Sequence, residues 1–96
     1  TLSIIVVDID KFKSVNDTHG HLVGDKVLKE TAQILAKSIR PRDACGRWGG
    51  EEFVLVLPET NAAGARVVGE RVRHKLECTP IEIEPGRTMN VTASFG

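Results

Sequence analysis

The chain has 96 residues, 41% of them apolar and 27% charged, a balance that suits one hydrophobic core and excludes disordered and fibrous classes. Thirteen basic residues offset thirteen acidic ones, so bulk charge gives no drive toward nucleic acid or a membrane surface. The longest apolar runs, Ile4 to Val7 and Phe53 to Leu57, fall far short of the roughly 20 residues that cross a bilayer, and Cys45 and Cys78 have neither disulfide-framework nor metal-ligand spacing. These features predict a soluble intracellular domain. Strand-like segments stand at both extremities, so the chain is expected to be a piece of a longer one.

Leu2 to Val7 reads as a strand, apolar on consecutive residues and therefore expected to be a central strand covered on both faces or packed deep in a sheet, with Asp8 ending it. Lys11 to Gly24 is polar and contains Asn16, Asp17, Gly20 and Gly24, the composition of a loop with one irregular helical turn. Asp25 then opens a predicted helix, in which Leu28, Ala32, Leu35 and Ile39 recur at helical spacing, Val27 and Ile34 widen the stripe, and Pro41 stops it. Two short strands, Ala44 to Trp48 and Phe53 to Leu57, flank Gly49-Gly50-Glu51-Glu52, where the glycine pair is expected to supply the positive φ angles of a tight hairpin.

Pro58 ends the second of these strands, and Thr60 or Asn61 caps another helix with Ala65, Val68, Val72 and Leu76 on its inner face. Gly64 and Gly69 weaken that helix by roughly 1 kcal/mol each against alanine unless close packing uses them. Pro80 to Glu84 forms a short strand, Pro85-Gly86 turns the chain, and Met89, Val91, Ala93 and Phe95 alternate with polar residues as in a half-buried strand. The order β-α-β-β-α-β, with one extra short strand, predicts an α+β fold: a ferredoxin-like antiparallel sheet with its helices packed on it.

That topology places the acids. The first strand and the second hairpin strand are expected to be antiparallel neighbours, which brings Asp8 and Asp10 beside Glu51 and Glu52 at one edge of the sheet. Hard oxygen donors at such an edge suit Mg²⁺, and two ions there can serve an in-line displacement at phosphorus. The residue types alone leave open a plainer reading, four solvated acids near turns.

Gly49-Gly50-Glu51-Glu52-Phe53 resembles the signature of the GGDEF family in its GGEEF form. Asp8-Ile9-Asp10-Lys11-Phe12-Lys13 is similar to the family's first-strand motif, and Asn16-Asp17, Gly20-His21 and Gly24-Asp25 match its following loop and helix start in type and spacing. The resemblance covers essentially the whole chain and implies a palm-like, nucleotide-cyclase-like fold and diguanylate cyclase activity, in which two GTP molecules become cyclic di-GMP and two pyrophosphates. Carried over by position, it implies Asp8, Glu51 and the main-chain carbonyl of Ile9 as ligands of Mg²⁺ or Mn²⁺. Glu52 becomes the acid assisting the metal site or deprotonation of the 3′-hydroxyl. Asn16 and Asp25 fall where the guanine edge is read, and Lys11, Phe12 and Lys13 where the phosphates approach. By themselves Asn16 reads as a turn residue and Asp25 as a helix N-cap.

Arg40-Pro41-Arg42-Asp43 has the R-x-x-D pattern and stands where the family places its inhibitory product site, with Arg71 resembling a further arginine of that site. The alternative for Arg40 and Asp43 is a structural ion pair at a helix end. His19, His21 and His74 share no metal spacing and read as surface residues, Trp48 as packing beside the hairpin, and the two cysteines as buried or half-buried thiols.

The resemblance further implies that residues 1–96 are a single but incomplete GGDEF domain. A helical segment before the first strand, and a helix with phosphate-contacting basic residues and a strand after Gly96, would be missing, so impaired catalysis is expected of this polypeptide alone. Expected partners are GTP, cyclic di-GMP, a second copy of the chain for catalysis and a sensory or regulatory domain, with no nucleic acid. The expected location is the cytoplasm, with membrane tethering of the complete protein left open. A competing reading is a catalytically silent GGDEF-like module that binds GTP or cyclic di-GMP. The intact set of Asp8, Asn16, Asp25, Glu51 and Glu52 favours the enzyme.

Overall fold

In the computed structural model, which describes residues 1–96, the first strand β1 (Leu2–Ile9) alternates strictly. Ile5, Val7 and Ile9 are buried, whereas Leu2, Ile4 and Val6 are 60%, 57% and 41% exposed. The expectation of cover on both faces is thereby corrected, while the central place of this strand in its sheet holds. The consecutive apolar run arises because one half fills the core and the other half forms an open apolar sheet face.

Strand β2 (Ala44–Arg47), strand β3 (Glu52–Pro58) and strand β6 (Ala93–Phe95) complete an antiparallel sheet of order β2-β3-β1-β6. The β1–β3 register runs from Leu2 opposite Pro58 to Asp8 opposite Glu52, so the two longest strands lie side by side at the centre, as the element order requires. Phe53, Leu55 and Leu57 of β3 join Val7 beneath helices α2 (His21–Ser38) and α3 (Ala62–Cys78), whose Val27, Leu35, Val72 and Leu76 are fully inaccessible. Each such side chain stabilises the fold by about 1.5–3 kcal/mol through burial.

The segment expected to be a loop is helical. Lys11 takes a left-handed conformation, φ 57°, and turns the chain straight from β1 into helix α1 (Phe12–His19). Only Val15 of α1 is buried, which is why its sequence shows no apolar periodicity. Gly20, at φ 89°, donates its N–H to the Asn16 carbonyl at 2.8 Å and separates the two helices. Helix α2 therefore begins at His21, and Asp25 lies in its second turn rather than at its cap. Its inner stripe includes Thr31 along with Val27, Leu28, Ile34 and Leu35.

At α3 the choice between caps resolves to Asn61, whose side chain accepts the Gly64 N–H at 2.9 Å. The strand expected over Met89–Phe95 is split. Strand β4 (Ile81–Glu84) pairs only with β5 (Arg87–Met89) as a separate hairpin around Gly86, φ 79°, and β6 starts anew at Ala93. At the break Asn90 donates its side-chain amide to the Glu77 carbonyl near the end of α3, at 3.0 Å. Val91 and Ala93 stay buried across the interruption, so the alternation survives without a continuous strand.

Candidate active site at the carboxylate edge

The β1–β3 ladder opens at this edge. Its last bond runs from the Ile9 N–H to the Glu51 carbonyl at 3.3 Å, and the reciprocal bond from Glu51 N–H to the Ile9 carbonyl is not made. On its other side Ile9 occupies a non-hydrogen-bonded position opposite Ala93, between the bonded pairs Val6–Gly96 and Asp10–Thr92, so its carbonyl oxygen is a free acceptor. Asp8, Ile9, Asp10 and Glu51 line one open cleft of about 290 Å³ together with Lys11, Phe12 and Lys13. Phe12, Lys13 and Glu51 also line a second cleft of about 420 Å³ that contains Asn16, Asp25 and Glu52. The two clefts adjoin at these three shared residues, Glu51 among them.

Asp10 lines the same cleft, but its carboxylate is already engaged. Its carboxylate accepts the Thr92 hydroxyl at 2.8 Å and the Ser94 hydroxyl at 2.7 Å, tying the end of β1 to the approach of β6. The Ser94 bond first, then the Thr92 bond, holds its carboxyl below the usual carboxylate range. No three acidic, histidine or cysteine side chains converge into a closed metal cage. Two carboxylates and one unpaired carbonyl nevertheless form an all-oxygen donor set with open positions. That chemistry fits Mg²⁺, which keeps water and phosphate oxygens in its shell.

The glycine pair does not act as expected, because neither Gly49 nor Gly50 has a positive φ; among the glycines only Gly20 and Gly86 do. A Cβ at Gly50 would meet nothing within 4 Å, and one at Gly49 would meet only the Glu52 Oε1 at 3.7 Å. Neither backbone conformation nor internal packing requires glycine here. What two missing side chains leave is open ground through which a ligand can reach the backbone. The turn is closed by Trp48 and Gly49, whose N–H groups donate to the Glu52 carbonyl at 2.8 and 3.3 Å. Trp48 itself is 76% exposed, not packed beside the hairpin.

At Gly24 the situation is reversed. A Cβ there would lie 1.8 Å from the Asn16 Oδ1, so only glycine allows the Asn16 side chain to settle against the first turn of α2. Asp25 follows directly, and the Gly20 break between the helices thus brings both residues into one cleft. Four residues of that cleft, His21, Leu28, Arg47 and Gly50, carry no site role in the sequence reading, which took His21 as a surface residue and Leu28 as core. Position was the available signal: His21 adjoins the Gly20 break, and Arg47 precedes Gly49 by two residues.

The second constellation stands apart from these clefts. Arg40 donates from Nε and Nη2 to the two oxygens of Asp43 at 2.8 and 2.9 Å, and its Nη2 also reaches the Thr60 hydroxyl at 2.6 Å. The Asp43 carboxylate is fully buried and accepts the Arg40 N–H as well, at 2.9 Å. These bonds from Arg40 hold its carboxyl below the usual range. Arg71 donates to the Ser38 carbonyl at 3.1 Å, so both arginines anchor at the C-terminal end of α2. His74 and Cys78 meet on the exposed side of α3, Nε2 to Sγ 3.6 Å, and Cys78 is thus exposed rather than buried. Burial pushes the half-buried Cys45 thiol up.

A ferredoxin-like sheet with paired acids where β1 meets a Gly-Gly turn is the architecture of a nucleotide-cyclase-like domain. The family model described as diguanylate cyclase, GGDEF domain, matches residues 1–96, and the chain belongs to that family. It is 47% identical over 96 residues to diguanylate cyclase A of Treponema denticola, covering all of this chain and 26% of that protein. It is 46% identical to the response regulator PleD of Caulobacter vibrioides, covering 99% of this chain and 21% of PleD. Diguanylate cyclase SiaD of Pseudomonas aeruginosa, solved in complex with its activator SiaC, superposes with a TM-score of 0.92 at 44% identity, over 99% of this chain and 36% of SiaD. The GGDEF domain of DgcB from Caulobacter crescentus, solved in complex with c-di-GMP, gives 0.88 at 30% identity, over 99% and 57%. The chain spans about a quarter of the length of the curated relatives it matches. Its expected α+β fold and family are borne out.

Proposed function

We propose that the full-length protein carrying this chain is a diguanylate cyclase, condensing two GTP into cyclic di-GMP and two pyrophosphates. The observation that supports this reading is the meeting of the two clefts at Glu51, with Asn16 and Asp25 on one side and Asp8 on the other. The Asp25 carboxylate accepts from guanine N1–H and N2–H₂, a donor pair adenine lacks, and the Asn16 amide adds a donor and an acceptor. Lys11, Lys13 and the N-terminal turn of α1 at Phe12 supply positive potential for the phosphates.

Asp8, Glu51 and the Ile9 carbonyl would hold Mg²⁺, and the same donors accept Mn²⁺. When bound, the ions neutralise phosphate charge and acidify the attacking hydroxyl. Glu52 takes the 3′-hydroxyl proton as the bond from O3′ to the α-phosphorus forms and the bond to the pyrophosphate oxygen breaks. One chain holding one GTP completes half of this chemistry, so ring closure calls for a second copy facing it across a two-fold axis.

Arg40, Asp43 and Arg71 are assigned to product feedback, since arginine forks match the phosphates and guanine edges of cyclic di-GMP. Arg40 has only Nη1 left for a ligand while its pair with Asp43 holds, so bound product uses that group and Arg71. A sensory or regulatory domain or partner sets activity. No helix is long and apolar enough to cross a membrane, and a cytoplasmic site of action follows from the GTP substrate.

Incubating the full-length protein with GTP and Mg²⁺ and separating the nucleotides tests the reading: cyclic di-GMP and pyrophosphate are expected. GTP bound without turnover would establish the silent module instead. Asp25→Ser should lower the preference for GTP over ATP by roughly 10–150-fold, the loss of a charged hydrogen-bond acceptor worth about 1.5–3 kcal/mol. Unchanged discrimination would remove Asp25 from guanine recognition.

A further inference from the structure

Arg47 closes on the turn that follows it. Its Nε donates to the Gly49 carbonyl at 3.1 Å and its Nη2 to the Gly50 carbonyl at 2.7 Å. A trans peptide points its N–H opposite to its C=O. Drawing the carbonyls of Gly49 and Gly50 onto one guanidinium therefore turns the next two N–H groups, those of Gly50 and Glu51, away from it. Neither N–H has a partner within the chain, and no Cβ covers Gly50. Two successive free N–H groups on the side of the turn away from Arg47 are donors an anionic oxygen can accept from. The cation behind the carbonyls strengthens the outward polarity of both peptides.

We propose that Arg47 is a positioning residue for the reaction. Its planar fork locks the two peptide planes of the Gly49-Gly50 turn, fixing the direction of the Glu51 side chain and presenting the Gly50 and Glu51 amides to a phosphate oxygen of the nucleotide. This rests on the proposed cyclase reading for its ligand, but the locking itself is a property of the chain alone. A lysine keeps the charge and cannot bridge two carbonyls in one plane. The geometry thus separates a role of the fork from a role of the charge.

The test compares wild type, Arg47→Lys and Arg47→Ala in the full-length protein. Both variants should lose about 10–100-fold in kcat for GTP, with KM changed less than about 3-fold, the signature of an interaction realised in the transition state. Their Tm should stay within about 2 °C of wild type, because the bonds are local and Arg47 is exposed. A second readout needs no nucleotide: hydrogen exchange at the Trp48 and Gly49 amides, which close the turn, should speed up about 10-fold or more in both variants. Wild-type kcat in Arg47→Lys would overturn the proposal, as would a loss confined to KM or unchanged exchange at Trp48 and Gly49. A wild-type protein that makes no cyclic di-GMP would refute the cyclase reading, while the exchange comparison would still decide the role of Arg47.

Discussion

Thr31 is fully buried on α2, and its hydroxyl has no hydrogen-bond partner. An unpaired buried hydroxyl costs about 1–3 kcal/mol, and valine has nearly the same shape without it. Thr31→Val should therefore raise the unfolding free energy by about 1 kcal/mol, read from the midpoint of a urea titration at unchanged m-value. Asp43 is the opposite case, a buried carboxylate with every oxygen engaged by Arg40. Its carboxyl, like that of Asp10, is held low in the folded chain. The contribution of both to stability is complete above the ordinary carboxylate value of about 3.9 and is lost as pH falls through their lower folded values. Melting temperature measured down the acid limb should fall accordingly. Asp43→Asn should lower Tm near neutral pH and make that limb shallower; a parallel acid limb would remove Asp43 from the linkage. Residue types were legible here, but partnership was not. The R-x-x-D spacing shows that Arg40 and Asp43 can meet, and only the fold adds Thr60, 20 residues away, to their network.

Helix α3 illustrates how the same residue carries different weight along one element. A Cβ at Gly69 would lie 3.4 Å from the Ile5 Cδ1, an ordinary contact, so Gly69→Ala should recover helix propensity and stabilise by about 0.5–1 kcal/mol. A Cβ at Gly64 would come within 3.0 Å of the Thr60 Cγ2 and 3.4 Å of the Asn61 Oδ1, crowding the cap. Gly64→Ala should therefore give no net gain. Urea titration of the two variants checks the pair, and equal stabilisation would show that the capping turn relaxes freely. The missed helix α1 has a related cause: an eight-residue helix burying one side chain has no periodicity to read, and its start depends on a non-glycine residue, Lys11, in a left-handed conformation. Such a conformation is set by the surrounding packing rather than announced by composition.

The whole molecule is thin, 42 × 23 × 17 Å, because the helices cover only one face of the four-stranded sheet. Leu2, Ile4 and Val6 consequently stay open on the far face, beside Val54 and Val56 of β3. At this scale the proposed chemistry exceeds one copy of the chain. Specific activity of the full-length protein should rise with protein concentration through the range in which it dimerises, then level off. A concentration-independent specific activity from a demonstrated monomer would defeat the two-fold arrangement.

The amino-acid sequence by itself determined the family, the β-α-β-β-α-β framework apart from α1 and the split last strand, the adjacency of β1 with β3 and the candidate residues on which the proposed site is built. Motif spacing and strand periodicity are local properties, and an antiparallel order leaves few ways to arrange the elements. Tertiary structure alone decided which acids stay available. Asp10 is claimed by hydroxyls from Thr92 and Ser94, more than 80 residues away, whereas Asp8 and Glu51 remain free at the edge of a ladder that opens one bond early. It also decided why the glycines are there. Gly24 yields space to Asn16, and Gly50 yields space to nothing in the chain. Both distinctions depend on distances between segments remote in sequence, which no local pattern encodes.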